Sequence, residues 1–210
     1  MFYYISDTTL EQGSAEGTQS LLPGSGERCL GDSVKGPQFL LSFLAACGDE
    51  ERYRDVSIGD ILKDQLQELQ ETFYREIPIT KQLGITVENY DGEQLTLKAP
   101  VGANINHKHT AFAGSLNSLV TLAGWGLLWL MLRELDIAAN IIIQDSTCNY
   151  LRPVTTDFSA SCRKPEPADI NKFEKTLRTR GKARLELESE IHEAGKAAVS
   201  FKGRYVIHLS

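Results

Sequence analysis

The sequence lacks several signals that would assign a function outright. Its four cysteines, Cys29, Cys47, Cys148 and Cys162, form no CxxC pair and no zinc-ligand spacing, so no metal site is expected from them. Positive charge is scarce: 22 Lys and Arg stand against 28 Asp and Glu, a net charge of -6. That balance argues against a nucleic-acid binder, which needs a basic stripe, and reads as ordinary solubility. The opening "MFYYISD" lacks the basic flank and long apolar run of a secretory leader. Reduced thiols and a cytoplasmic location are the expectation. No internal repeat is evident. What is present is unremarkable in bulk: 41% hydrophobic and 24% charged residues over 210 positions, the composition of one sizeable globular domain with or without a tail.

Residues 11–36 are rich in Gly, Ser and Glu, carry Pro23 with Pro37 just beyond, and show no apolar period. The reading is a largely disordered extension over residues 1–57. Within it, Leu44-Ala45-Ala46-Cys47 resembles a bacterial lipoprotein cleavage box, but its apolar part is short and lies inside the chain, so it is read as an apolar or helical patch. From Ile58, the residues Ile61, Leu62, Leu66, Leu69 and Phe73 recur at three- and four-residue steps. That spacing predicts an amphipathic helix over 58–76, with Asp60 near its start and Pro78 past its end.

The period then changes to two. Ile85, Val87, Leu95 and Leu97 alternate around Asp91-Gly92, a turn pair suited to positive φ, which predicts a hairpin. "NIIIQDSTCNYLRP" reads as one extended strand ending at Pro153, and Phe158, Ala160 and Cys162 alternate in the next. Leu185, Leu187 and Ile191 share one face of a further strand, with Arg184, Glu186, Glu188, Glu190 and His192 on the other. Val199, Phe201, Tyr205 and Ile207 alternate in the last. Antiparallel strands with one wet and one covered face need something to cover them.

The candidate is the segment from Ala111 to Leu132, which carries no charge and is apolar nearly all round, Trp125, Leu127, Leu128, Trp129 and Met131 included. Such a helix is either wrapped by protein or crosses a membrane, and about 20 residues suffice for a span. Asn117, Ser118, Thr121 and glycines at 114, 124 and 126 favour the wrapped helix, since each glycine costs a free helix about 1 kcal/mol and makes sense where a sheet comes close. The expected fold is α+β, five to six antiparallel strands around one central helix.

The motifs "NHKHTAFAGSL", "GWGLLWL" and "YLRPVT" resemble the thioesterase domain of the YiiD C-terminal type, in the hotdog superfamily, over roughly Ile77 to Leu209. The domain boundary is accordingly set at 77–210. That domain is often fused behind an N-acetyltransferase domain, which the first 60 residues are too few to hold. The resemblance implies hydrolysis of an acyl-CoA or, as the lesser expectation, an acyl carrier protein thioester, without a cofactor, in a homodimer or dimer of dimers. Neither nucleic acid nor membrane is an expected partner.

Related thioesterases carry an Asn and then, seven and eight residues later, a Gly-Gly pair opening the helix. Here Asn106 matches the Asn, and the pair reads Ala113-Gly114. The resemblance implies that the Gly114 amide, at the positive end of the helix dipole, donates to the thioester carbonyl, with Asn106 as a second donor. The family's helix acid is missing: Thr121 stands at that offset, and no carboxylate occurs between Thr110 and Arg133. His107, His109 and Asp145 are the candidate bases, Asp145 from the strand after the helix and supplied across a dimer interface. Ala113, Ser115, Ser118 and Thr121 are candidate substrate or water contacts, and Arg152 a candidate phosphate grip. With the acid absent, a non-catalytic acyl-CoA-binding or interaction module is the alternative.

Overall fold

The computed structural model describes residues 58–210, with side chains from Leu62 onward. The expectations for residues 1–57, including the lipoprotein-like box, lie outside the described residues.

Helix α1 runs Ile58–Glu76. Its apolar period becomes a buried stripe: Leu69 and Phe73 are fully covered, with Leu62 and Leu66 beside them. The chain turns at Pro78 into a single turn, α2, Ile79–Gln82. Thr80 fixes that turn by donating its hydroxyl hydrogen to the carbonyls of Phe73 (3.1 Å) and Ile77 (2.8 Å).

The predicted hairpin is β1, Thr86–Tyr90, and β2, Gln94–Ala99. Asp91 accepts from the amides of Glu93 and Gln94 at 2.8 and 2.7 Å, and Gly92 takes φ 92°. The aspartate thus templates the turn and the glycine supplies its left-handed step. The uncharged segment forms helix α3, Ala113–Glu134, followed by β3, Ala139–Tyr150, and β4, Phe158–Arg163. Helix α4, Pro167–Arg180, leads into β5, Lys182–Glu193, and β6, Lys196–Leu209.

The six strands form one antiparallel sheet in the order β1-β2-β4-β5-β6-β3. Its concave face holds α3. Two glycines explain how closely. A Cβ on Gly124 would lie 2.3 Å from the Tyr205 hydroxyl of β6, and one on Gly126 would lie 2.9 Å from Leu95 of β2. The Tyr205 hydroxyl, fully buried, donates to the Thr121 carbonyl at 2.8 Å. Burial pushes this phenol far above its usual range, so it remains a donor.

α3 is long and apolar enough to cross a membrane, yet 72% of its most apolar window is buried inside the protein. Its half-buried positions, Gly114, Asn117, Ser118, Thr121, Trp125 and Trp129, fall on one stripe. This stripe marks the side the sheet leaves open. Trp125 crosses that side, donating its indole hydrogen to the Ile141 carbonyl (3.3 Å) while its ring packs 5.7 Å from Phe73. At the far end of α3, Tyr90 donates to Glu134, and Lys164 pairs with the same carboxylate at 2.6 Å. This latch joins the helix C-terminus to the first hairpin.

Helix α4 has no counterpart among the sequence expectations. Its signals were present: Pro167 in the first turn, Ile170, Phe173 and Leu177 at helical spacing, and Gly181 closing it at φ 66°. β4 pairs with β5 only over Ala160–Cys162. Buried Phe173 and Leu177 cover β5 where no strand continues.

Candidate active site

The site grows from the way the chain enters α3. Asn104 is buried and donates to the carbonyls of Leu83 (2.9 Å) and Pro100 (2.7 Å), while its own carbonyl accepts the Phe112 amide at 2.7 Å. Between these anchors the chain makes a tight turn. The Asn106 amide donates to the Thr110 carbonyl at 2.8 Å, and the His109 amide to the Asn106 carbonyl at 3.0 Å. His109 sits at φ 60°, a left-handed position rare outside glycine. The Ala111 amide then crosses to the Val154 carbonyl at 2.7 Å, tying the helix entrance to the chain that leaves β3.

Phe112 is the N-cap residue and has no side chain able to cap. Among the described residues, the first-turn amides of Ala113, Gly114 and Ser115 have no acceptor. Three aligned donors at the positive end of a helix suit an anion or a developing oxyanion. Beside them lies a cleft of about 290 Å³, lined by Asn106, Ala111, Ala113, Leu116 and the run Tyr150–Val154. A larger hollow, about 580 Å³, lies between α4 and β5. None of the helix-entrance residues lines it.

The structure brings some of the sequence-predicted residues together. Asn106, Ala113 and Arg152 line one cleft, and Gly114 and Ser115 adjoin it in the first turn. At two of these the surroundings differ from the expectation. Both amide hydrogens of Asn106 are engaged within its own loop, with Thr110 Oγ1 (2.9 Å) and the Ala111 carbonyl (3.2 Å). Its carbonyl oxygen accepts from Lys108 and Thr110. The residue therefore builds the loop. At Gly114, the space a Cβ would need is filled by the Phe112 ring, 2.3 Å away, rather than by a sheet strand.

The remaining candidates are scattered. His107 and His109 are exposed on the turn. Asp145 pairs with Arg204 at 3.5 Å, and the same arginine pairs with the outward-facing Glu186. That places Asp145 with the solvent-side charges of its own chain, outside the lining of that chain's cleft. Ser118 donates to the Gly114 carbonyl at 2.9 Å, and Ser115 is buried. Thr121 is half-buried a further turn along the open stripe.

Sequence reasoning missed Tyr150 and Glu193. Tyr150 donates its hydroxyl hydrogen to the Ala113 carbonyl at 3.2 Å and lines the cleft. Partial burial and the neighbouring Cys148 push its pKa up to about 12. Glu193, on the β5–β6 hairpin, accepts from the Thr155 amide (3.0 Å), Thr155 Oγ1 (2.7 Å) and Thr156 Oγ1 (3.1 Å). These bonds hold its carboxyl below the usual range and pin the segment that follows the cleft wall. Tyr150 had a signal in its two-residue offset from Cys148 on β3; Glu193 is visible only once the hairpin folds back.

An antiparallel sheet wrapped around one long helix, with an uncapped helix entrance opening on a cleft, defines a protein of the hotdog fold. The family described as "Putative thioesterase (yiiD_Cterm)" matches residues 66–209. The chain belongs to that family. Among solved structures, it is similar to a protein of unknown function from Chlorobaculum tepidum, at 32% identity and TM-score 0.68, covering 71% of this chain and 97% of that one. It is also similar to a "putative thioesterase" from Shewanella oneidensis, at 32% identity and TM-score 0.64, covering 70% and 99%. A thioesterase from Haemophilus influenzae shares the fold at 15% identity and TM-score 0.53, covering 69% of this chain and 90% of that one.

Proposed function

We propose that the chain hydrolyses an acyl-CoA thioester whose carbonyl is polarised at the entrance of α3. The observation behind this reading is the row of partnerless amides at Ala113, Gly114 and Ser115 beside an apolar-walled cleft. Attack on a thioester moves charge onto the carbonyl oxygen, and fixed donors stabilise that charge at no reorganisation cost. Leu116, Leu151 and Val154 offer apolar wall to the acyl group, and Arg152 offers a cation at the mouth for a phosphate. Arg152 is held there by its Nε donating to the Ala197 carbonyl at 3.2 Å.

The working unit we propose is a homodimer. β3 is an edge strand of 12 residues, paired within the described sheet with β6 alone, and it leaves Ile142, Tyr150 and the following Leu151 about half exposed. A second copy laid along this edge would cover those side chains beside both clefts. The test is release of free thiol from a panel of acyl-CoAs and acyl carrier proteins of graded chain length. Release from acyl-CoA supports the reading. Tight acyl-CoA binding in calorimetry without any release would favour the alternative, a non-catalytic binding module, for which the missing helix acid speaks.

A further inference from the structure

The cleft lacks a carboxylate, so the nucleophilic water needs other holders. Two groups beside the first turns of α3 meet this need, one on the helix and one on β3. The first is the side-chain oxygen of Asn117: Oδ1 is buried and has no hydrogen-bond partner. Leaving a buried carbonyl oxygen without a donor is costly, and in native proteins such an atom usually serves water or ligand. The second is the hydroxyl of Tyr150, 3.2 Å from the Ala113 carbonyl.

Helix geometry relates the two. Ala113 and Asn117 are one turn apart, and the Ala113 carbonyl points towards the Asn117 turn. A helical side chain covers the turn N-terminal to its own Cα, so the Asn117 amide reaches back towards the residue that Tyr150 touches. Asn117 also shares a helix face with Gly114, three residues earlier, whose amide is one of the open donors. Cys148 stands two residues before Tyr150 on the same strand face, and its thiol neighbours the phenol.

We infer that Asn117 Oδ1 and Tyr150 Oη together hold the attacking water, in place of a carboxylate, which α3 lacks until Glu134 in its last turn. The inference rests on the thioesterase reading above. The water gives one hydrogen bond to each oxygen, which turns a lone pair of its own towards the carbonyl held at Gly114. Its oxygen bonds to the carbonyl carbon as the C=O π pair moves onto the oxygen facing the first-turn amides. Collapse of that intermediate breaks the C–S bond. The departing thiolate takes up the proton lost by the water, so the products are a carboxylic acid and a thiol. The amide and phenol orient without titrating near neutrality; Asn117 and Tyr150 are thus catalytic by contact with the reacting water.

The experiment compares wild type with Asn117→Leu, Asn117→Asp and Tyr150→Phe, following thiol release from acyl-CoA across pH 5–9. The expected result is a kcat lowered ~10–100-fold in Asn117→Leu and in Tyr150→Phe, with KM within about threefold of wild type. Asn117→Asp is the decisive arm, because it places a carboxylate where the water is held. It should retain at least wild-type turnover at pH 8 and acquire a new acidic limb in its pH profile, which loss of packing alone would not produce. A kcat within twofold of wild type in both Asn117→Leu and Tyr150→Phe overturns the assignment. So does an Asn117→Asp enzyme as weak as Asn117→Leu, provided its thermal melt matches wild type. A wild-type protein that releases no thiol from any substrate instead sinks the thioesterase reading, and this inference with it.

Discussion

Replacing Gly124 with alanine sets two opposed effects against each other, and the structure decides between them. Intrinsic helix propensity favours alanine by about 1 kcal/mol in a helix interior. Against that gain, the new Cβ would sit 2.3, 2.7 and 2.9 Å from Oη, Cζ and Cε2 of Tyr205. Neither side can yield easily. Tyr205 is fully buried on β6, in register with Ile143 and Leu185 on its two flanking strands. Overpacking of this kind costs roughly 1–3 kcal/mol. Displacing the phenol also breaks its bond to the Thr121 carbonyl and strands a buried hydroxyl, a further ~1–3 kcal/mol. The net expectation is a loss of about 1–5 kcal/mol, centred near 3, or ~6–12 °C in Tm for a domain of this size. Urea titration of wild type and Gly124→Ala, with the m-value checked for constancy, measures it. Adding Tyr205→Phe removes the nearest clashing atom, so the double variant should be less damaged than the sum of the singles. A Gly124→Ala protein about 1 kcal/mol more stable than wild type would refute the claim that the sheet and helix touch here.

Other outcomes follow from the entrance loop and the buried groups. Asn106→Ala removes the bonds to Thr110 and Ala111 that shape the helix entrance, and turnover should fall roughly 10- to 100-fold through misplaced first-turn donors with the fold intact; an unchanged rate would detach this loop from catalysis. Glu193→Gln should flatten the acid end of the stability curve. The folded carboxyl lies below its ordinary value of 4.5, chiefly through the bond from Thr155, so its contribution is complete above that value and is lost as pH falls through the lower folded one. Denaturant midpoints of wild type and variant between pH 3 and 6 compare the two slopes, and parallel curves would contradict the pinning role. Cys162 is buried, and burial pushes its thiol up to about 11, whereas Cys148 is half-buried. Peptide mapping after brief iodoacetamide treatment of the native protein should find Cys148 labelled well ahead of Cys162.

Periodicity made much of this fold legible before any coordinate. The alternation in β5 and β6 names the inward set, Leu185, Leu187, Ile191, Val199, Phe201, Tyr205 and Ile207, and all seven are buried. Asp91-Gly92 marks the first hairpin because only certain residues tolerate its turn. Helix α4 went unread because three large apolar residues in fourteen make a weak period, although its proline start and glycine stop were visible. The site was legible by halves. Asn106, Ala113 and Arg152 do meet at one cleft, but spacing along the chain is silent on which way an amide points. Asn106 turns inward to its own loop, and Asp145 turns outward to Arg204.

By itself, then, the sequence determined the elements and the faces they bury, since side-chain period and turn chemistry are local properties of the chain. It determined too that the central helix would carry no acid before its last turn, where Glu134 stands. Only the tertiary structure decided what surrounds the entrance of that helix. Tyr150 comes from a strand 37 residues away, Glu193 braces Thr155 from a distant hairpin, and the Phe112 ring fills the hollow over Gly114. Such neighbours are set by how the sheet curls about the helix, a packing result that no local pattern encodes.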